Sequence, residues 1–191
     1  MLFIDFDGVI LDTEPLLFEE WRKNPNSNNL STMEKIRYIQ TSNWKKIINY
    51  SEIINDSIYY LKQLDSSTSS ILTKVHSLEN EANEKIIWLR SKGIKQNIIL
   101  VPYVFKKADI VDAKNNILVD DCLKNLEEWE NCGGIPIFFD MDNDNIDSWN
   151  QENKQGYQKV LTLESFCKKG KWFMWWSYSN TDILIYNIKY I

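Results

Sequence analysis

Residues 4–14 read IDFDGVILDTE, and three carboxylates, Asp5, Asp7 and Asp12, stand around Gly8 at the end of the first apolar run. Leu2, Phe3, Ile4 and Phe6 have the character of a buried strand, so the acids fall where that strand leaves the core. There they either shape a turn or a helix cap, or they hold a cation and attack a substrate. The remainder of the chain weighs between these readings.

Further short apolar runs end in polar residues in the same way: SILT at 70–73, NIILV at 97–101, ILVD at 117–120 and IPIFF at 135–139. Runs without polar alternation suit strands buried on both faces of a parallel sheet. Helix signatures separate them. Ser77 can cap a helix from Leu78 to Lys92 with Ala82, Ile86 and Leu89 on one face and Gly93 as its stop, and a shorter helix is expected from Asn125 to Cys132. The alternation predicts an α/β fold with a Rossmann-like parallel sheet, whose ligands bind beyond the carboxyl ends of the strands.

The stretch from Thr13 to Leu64 breaks the alternation, because it holds no strand-like run. It offers helices instead: Pro15 to Lys23, one opened by the capping-box pair Ser31 and Glu34, and a third carrying Ile54, Ile58 and Leu61. NPNSNN at 24–29 reads as a loop and SSTSS at 66–70 as a hinge back into the sheet. The expected organisation is a core of residues 1–12 and 65–169, a small all-helical cap of residues 13–64 inserted after the first strand, and a separate tail at 170–191.

Composition narrows the functional classes. With 191 residues, 43% hydrophobic and 13% aromatic, the chain can bury a sizeable core. A formal charge of −5 and the lack of any Lys/Arg run argue against polymeric nucleic acid, while a basic pocket for one phosphate stays compatible. No apolar stretch approaches the ~20 residues of a membrane span. Cys122, Cys132 and Cys167 form neither a C-x-x-C pair nor an even disulfide set, and no charged leader precedes the first strand, which together lead to an expected cytoplasmic location.

In a parallel sheet the strand ends point one way. Asp5 and Asp7, Thr73 and Lys74, and Asp120 and Asp121 are then expected in one cleft, with Lys106 and Lys107 in the loop before the fourth strand. Like charges so close need a cation, and oxygen ligands with few fixed protein donors favour Mg²⁺. A carboxylate nucleophile, a metal, a hydroxyl and a lysine are what phosphoryl transfer requires, since its transition state spreads negative charge over equatorial oxygens.

DFDGVILDTE resembles the first motif of the haloacid dehalogenase (HAD) superfamily, Asp-x-Asp-Gly-x-x-x-Asp-x, and Thr73, a lysine and LVDDCLKN follow in that family's order. Across roughly residues 1–166, ILTKVHSLENEANEKIIWLRSKG, VPYVFKKADIV and ILVDDCLKNLEEWENCGG are most similar to the 5'(3')-deoxyribonucleotidase branch. The resemblance implies that Asp5 is the nucleophile of an aspartyl-phosphate mechanism and Asp7 the general acid and base. It implies Mg²⁺ held by Asp5, the Asp7 carbonyl, Asp120 and Asp121, with Thr73 and Lys107, or Lys106, on the substrate phosphate. Lys107 is preferred because it immediately precedes ADIV. The implied activity is a magnesium-dependent phosphomonoesterase acting on a nucleoside monophosphate. Alternatives are a sugar-phosphate phosphatase or phosphomutase, or a non-catalytic phosphate-binding or assembly module.

Other residues carry two readings each. Phe18, Trp21, Trp44 and Tyr50 in the cap can select a substrate by stacking on its base, or can be cap core. His76, the one histidine, lies near the expected cleft and is given no catalytic role. Asn125 supports the loop after Asp121 or simply starts a helix. In the tail, residues 172–178 and 183–190 flank SNTD as an extra hairpin or, through their exposed aromatics, as a homodimer contact.

Overall fold

A computed structural model of the chain describes residues 1–23, 30–140 and 156–167. Strand β1, Leu2–Ile4, leads after a tight turn into the two-residue strand β2, Leu11–Asp12. Helices α1 (Glu14–Arg22), α2 (Thr32–Thr41) and α3 (Trp44–Tyr50), the short strand β3 (Glu52–Ile53) and helix α4 (Ser57–Gln63) come next. Strand β4 (Ser69–Val75), helix α5 (Glu81–Ser91), strand β5 (Asn97–Pro102), a 3₁₀ turn at Lys107–Asp109, strand β6 (Ile117–Asp120), helix α6 (Leu123–Glu130) and strand β7 (Ile135–Phe139) then follow. Strand β8 (Gln158–Val160) and the one-turn helix α7 (Glu164–Cys167) follow.

The six-stranded sheet is parallel throughout, in the order β5-β4-β1-β6-β7-β8. After β1 the chain builds outward through β4 and β5, then crosses to β6 and builds the other way. The strand order therefore reverses beside β1, and open α/β sheets carry their binding crevice at such a point. The expected α/β parallel sheet is what the structure shows.

Side chains of adjacent strand residues point to opposite faces, which divides the buried residues into two clusters. Ile4, Ile71, Val119 and Ile137 lie on the face covered by α5 and α3, with Trp44, Trp88 and Leu89. Phe3, Leu72, Leu118 and Phe138 lie on the other, against Leu126 and Trp129 of α6. Phe3 meets Trp129 edge-on at 5.5 Å, and Phe6 meets Trp88 at 5.7 Å. Ile47, Ile48, Ile54 and Leu61, from the segment between β2 and β4, belong to the same buried cluster as the sheet.

Several elements differ from the sequence expectation. The segment 13–64 does contain a strand, since β3 pairs antiparallel with β2, Leu11 opposite Ile53. Ile54 precedes its helix instead of lying in it, because Asn55 and Asp56 adopt positive φ (41° and 56°) and α4 starts only at Ser57. Helix α5 begins at Glu81, not Leu78. The Ser77 hydroxyl accepts from the Asn80 N–H, closing a turn, while the Asn80 amide donates to the carbonyls of Gln40 and Ser42 and holds that turn against α2. Strand β8 has no apolar run to announce it. The loop at 24–29 and the aromatic tail at 170–191 lie outside the described residues.

Candidate active site

Register brings the acids together. Ile4 stands opposite Val119, so the next residues along β1 and β6, Asp5 and Asp120, are neighbours, and the Asp5 N–H donates to the Val119 carbonyl at 2.9 Å. Oxygens of Asp5, Asp120 and Asp121 lie within 4.8 Å of one another, and all three residues are buried. Gly8 makes room for this cluster. Its φ is +68°, and a Cβ there would stand 1.9 Å from Asp121 Oδ2, so both the turn and the close approach require glycine.

One cation threads the cluster. Lys107 Nζ lies 2.6 Å from Asp120 Oδ2 and 3.0 Å from Asp5 Oδ1, in a side chain 1% exposed. Burial works against its charge, yet Asp120 and Asp5 hold its pKa above the ordinary lysine value. Asp5 shows the opposite balance. Burial pushes its carboxyl up to about 6 against the pull of Lys107, and the charges of Asp120 and Asp7 add to the rise. The Phe6 N–H donates to Asp5 Oδ1 at 2.8 Å. The Asn125 amide spans both Asp120 oxygens at 3.1 and 3.2 Å, and the Cys122 N–H adds 2.9 Å to Oδ1, which fixes that carboxylate. Lys106 is exposed; its backbone N–H donates to Asp109 Oδ2 at 2.8 Å and its carbonyl accepts from the Asp109 N–H at 3.1 Å.

Asp7 forms a second centre beside the first. Its side chain is 31% exposed, and its Oδ1 accepts from the Thr13 hydroxyl at 2.7 Å. That bond diverts Thr13 from the cap role its place before α1 suggests. The Oδ2 atom is ion-paired with Lys85 of α5, and the same ammonium donates to Thr73 Oγ1 at 3.3 Å. Thr73, fully buried, is thereby tied to Asp7. Lys74 turns away, its Nζ 3.8 Å from Glu128 on α6. Asp12 stays apart in β2, where burial and the nearby Glu52 raise its pKa.

The sequence reading placed Asp5, Asp7, Thr73, Lys74, Asp120 and Asp121 in one cleft with Lys106 and Lys107 in the loop before the fourth strand; Asp5, Asp120, Asp121 and Lys107 lie together, Lys85 joins Asp7 and Thr73 beside them, and Lys74 and Lys106 stand apart. It did not single out Thr13, Glu81 or Lys85. Thr13 could have been noticed as a threonine preceding the helix-opening Glu14-Pro15, whereas Glu81 and Lys85 have the spacing of an ordinary solvated helix pair.

The cap aromatics are placed differently from one another. Trp44 is a correction: it is 3% exposed, packed in the core cluster, with its indole N–H donating to the Ile39 carbonyl at 2.8 Å. A ring so enclosed offers no face to a substrate. Trp21 is half-buried and meets Tyr38 edge-on at 5.0 Å, Phe18 is half-buried, and Tyr50 is exposed. A cleft of about 200 Å³ opens instead along α2, lined by Met33, Glu34, Ile36, Arg37, Gln40 and Tyr103. Tyr103 stacks on His76 with ring centres 5.2 Å apart, and the His76 N–H donates to Glu81 at 2.7 Å, which links this cleft to Lys85.

No family model and no curated protein sequence matches the chain. Solved structures do. The magnesium-bound putative HAD-hydrolase YfnB from Bacillus subtilis superposes with a TM-score of 0.55 at 13% identity, over 86% of this chain and 95% of that one. A HAD phosphatase from Thermococcus onnurineus gives 0.53 at 13%, over 86% and 94%. A dehalogenase solved as an intermediate complex gives 0.54 at 10%, over 86% and 94%. At such identities the likeness speaks for architecture, and it spans a phosphatase, a putative hydrolase and a dehalogenase. No described helix is long and apolar enough to cross a membrane. The chain thus has the fold of the HAD-superfamily hydrolases.

Proposed function

We propose that the protein is a HAD-superfamily phosphomonoesterase that works through an aspartyl-phosphate on Asp5 and requires Mg²⁺. The observation that carries this reading is the buried set of Asp5, Asp120 and Asp121 oxygens within 4.8 Å of one another, with Lys107 between Asp5 and Asp120. Buried carboxylate oxygens this close together suit a hard cation, and an all-oxygen donor set suits Mg²⁺. When bound there, Mg²⁺ would offset charge on the transferring phosphoryl group.

In the first half-reaction an Asp5 oxygen attacks phosphorus, the phosphorus–ester oxygen bond breaks, and a proton from Asp7 goes to the departing alkoxide. In the second, water attacks the aspartyl-phosphate, Asp7 takes its proton, and the Asp5–phosphorus bond breaks to release inorganic phosphate. Lys107 and Thr73 face the negative charge that develops on the equatorial oxygens. Asp7 argues for phosphatase over dehalogenase chemistry, because a halide leaves without a proton and an alkoxide does not.

For the substrate, the resemblance to the nucleotidase branch favours a nucleoside monophosphate, and the Tyr103 ring in the wall of the α2 cleft gives a base a surface to meet. A hexose phosphate, cleaved or isomerised, is the alternative. The helices between β2 and β4 act as the cap over the crevice, and the site residues favour a small ester as the partner.

A panel of phosphate esters assayed with Mg²⁺, with excess EDTA and with Ca²⁺ tests the reading. Turnover is expected with Mg²⁺ alone, with nucleoside monophosphates preferred, and Asp5→Asn should lower it by several orders of magnitude with unchanged folding. Full activity in EDTA, or in Asp5→Asn, overturns the mechanism. Preference for hexose phosphates overturns only the nucleotide assignment.

A further inference from the structure

We infer that Lys85 is a positioning residue, a buried ammonium on α5 that holds the Asp7 carboxylate in its working orientation. The inference rests on the reading of Asp7 as the acid and base.

Lys85 is fully buried, between the ring of Phe6 at 5.3 Å and that of Trp44 at 5.5 Å. A lysine in an apolar slot loses several kcal/mol of hydration, and an apolar residue of similar size would fill the same space without that loss. Core packing therefore does not account for it. Its partners do. Besides Asp7 Oδ2 and Thr73 Oγ1, the ammonium reaches Glu81 Oε1 at 2.7 Å and the Lys74 carbonyl at 3.1 Å. Burial opposes the charge, but Asp7 and Glu81 outweigh it and raise the lysine's pKa.

The arrangement is a clamp with an anchor. Asp7 lies on the turn after β1, where a half-exposed carboxylate would otherwise rotate among rotamers. Thr13 holds one of its oxygens and Lys85 the other. Glu81 is 2% exposed and is itself fixed by the His76 backbone N–H at 2.7 Å, so it anchors the ammonium that holds Asp7. A proton donor must stand within hydrogen-bond reach of the leaving oxygen, and such placement depends on the groups behind it. Lys85 does not touch the reacting atoms and acts through Asp7.

The test compares p-nitrophenyl phosphate with phenyl phosphate, which have similar shapes while phenolate is the poorer leaving group and depends more on the acid. Asp7→Asn, Lys85→Met and the double variant are assayed on both. If Lys85 acts through Asp7, Lys85→Met should lose about 10- to 100-fold more kcat on phenyl phosphate than on p-nitrophenyl phosphate. KM should change little, and adding Lys85→Met to Asp7→Asn should cost no more than about twofold further. Equal losses on the two esters, or losses that multiply in the double variant, overturn the inference while a leaving-group bias in Asp7→Asn leaves the acid–base reading standing. No bias in Asp7→Asn overturns that reading and this inference with it. Because Lys85→Met strands Glu81, the variant Glu81→Leu/Lys85→Met removes both buried charges and keeps the slot apolar. It should fold, as followed by thermal melting, and show the same leaving-group bias; a folded double-charge variant without the bias also overturns the inference.

Discussion

Burial holds Asp5 where its charge is unfavourable, even beside the Lys107 ammonium. Its carboxyl, pushed up to about 6 from 3.8 chiefly by burial, favours the protonated form in the folded protein. For a raised carboxyl the contribution to stability is fully present below 3.8 and is lost as pH rises through about 6. Metal-free protein should therefore lose on the order of 2–3 kcal/mol from this residue between pH 4 and pH 7. Melting curves in EDTA for the wild type and Asp5→Asn isolate the effect: the variant should be the more stable at pH 7, with the difference vanishing near pH 4. A difference that does not change with pH would mean the carboxyl is not strained by burial. Gly8 makes a second case at this scale. Gly8→Ala must place a Cβ in the space of the Asp121 carboxylate at a left-handed φ. We expect it to destabilise the fold by about 1–2 kcal/mol and to raise the Mg²⁺ concentration for half-maximal activity about tenfold. Unchanged Mg²⁺ dependence would place Asp121 outside the metal site.

At the scale of elements, α5 and α3 do more for the site than their sequences advertise. Helix α5 buries Glu81, Ala82, Lys85, Trp88 and Leu89, so its inward face mixes an ion pair with apolar residues. Helix α3 supplies Trp44 as the wall behind Lys85. Trp44→Ala should open a cavity and cost about 3–5 kcal/mol of stability. Its kinetic losses should be alike for a nucleotide and for p-nitrophenyl phosphate, since the ring faces the core. A loss confined to nucleotides would restore Trp44 as a base-stacking residue. The turn before α5 binds the helical segment to the sheet, because Asn80 donates to Gln40 and Ser42 while Gln40 donates to the His76 carbonyl at 3.0 Å. Asn80→Ala should cost about 1–2 kcal/mol by removing the Asn80 donor from the Gln40 and Ser42 carbonyls, of which Ser42 still accepts from the Trp44 N–H at 2.8 Å.

Over the whole molecule, the helical segment and the sheet share one buried cluster. Ile47, Ile48, Ile54 and Leu61 pack with Ile4, Phe6 and Leu89, the Ser57 hydroxyl donates to the Ile10 carbonyl, and the Gln96 amide donates to that of Leu61. A segment so joined has little apolar surface to keep buried on its own. Denaturant unfolding of the full chain should accordingly show coincident transitions by Trp fluorescence and far-UV circular dichroism, as one cooperative unit does. A separate early transition for the helices would show that they unfold as an independent cap.

Much of the architecture was legible because strands buried on both faces leave continuous apolar runs. LFIDF, SILT, NIILV, ILVD and IPIFF each became a strand within a residue or two, and the acids at their ends came together because parallel strands end on one side. The capping box of Ser31 and Glu34 is local chemistry and formed as written. What depended on distant partners was not legible. Ile54 outside its helix and the β2–β3 pair depend on neighbours far along the chain. The clearest case is Glu81 with Lys85, whose spacing reads as a solvated helix pair and whose burial follows only from which face of α5 the sheet covers. Sequence by itself determined where β1, β4, β5, β6 and β7 form and which acids end them, since both follow from local hydrophobicity and backbone direction. Only the tertiary structure decided which charges are buried, because desolvation depends on everything that packs around a group.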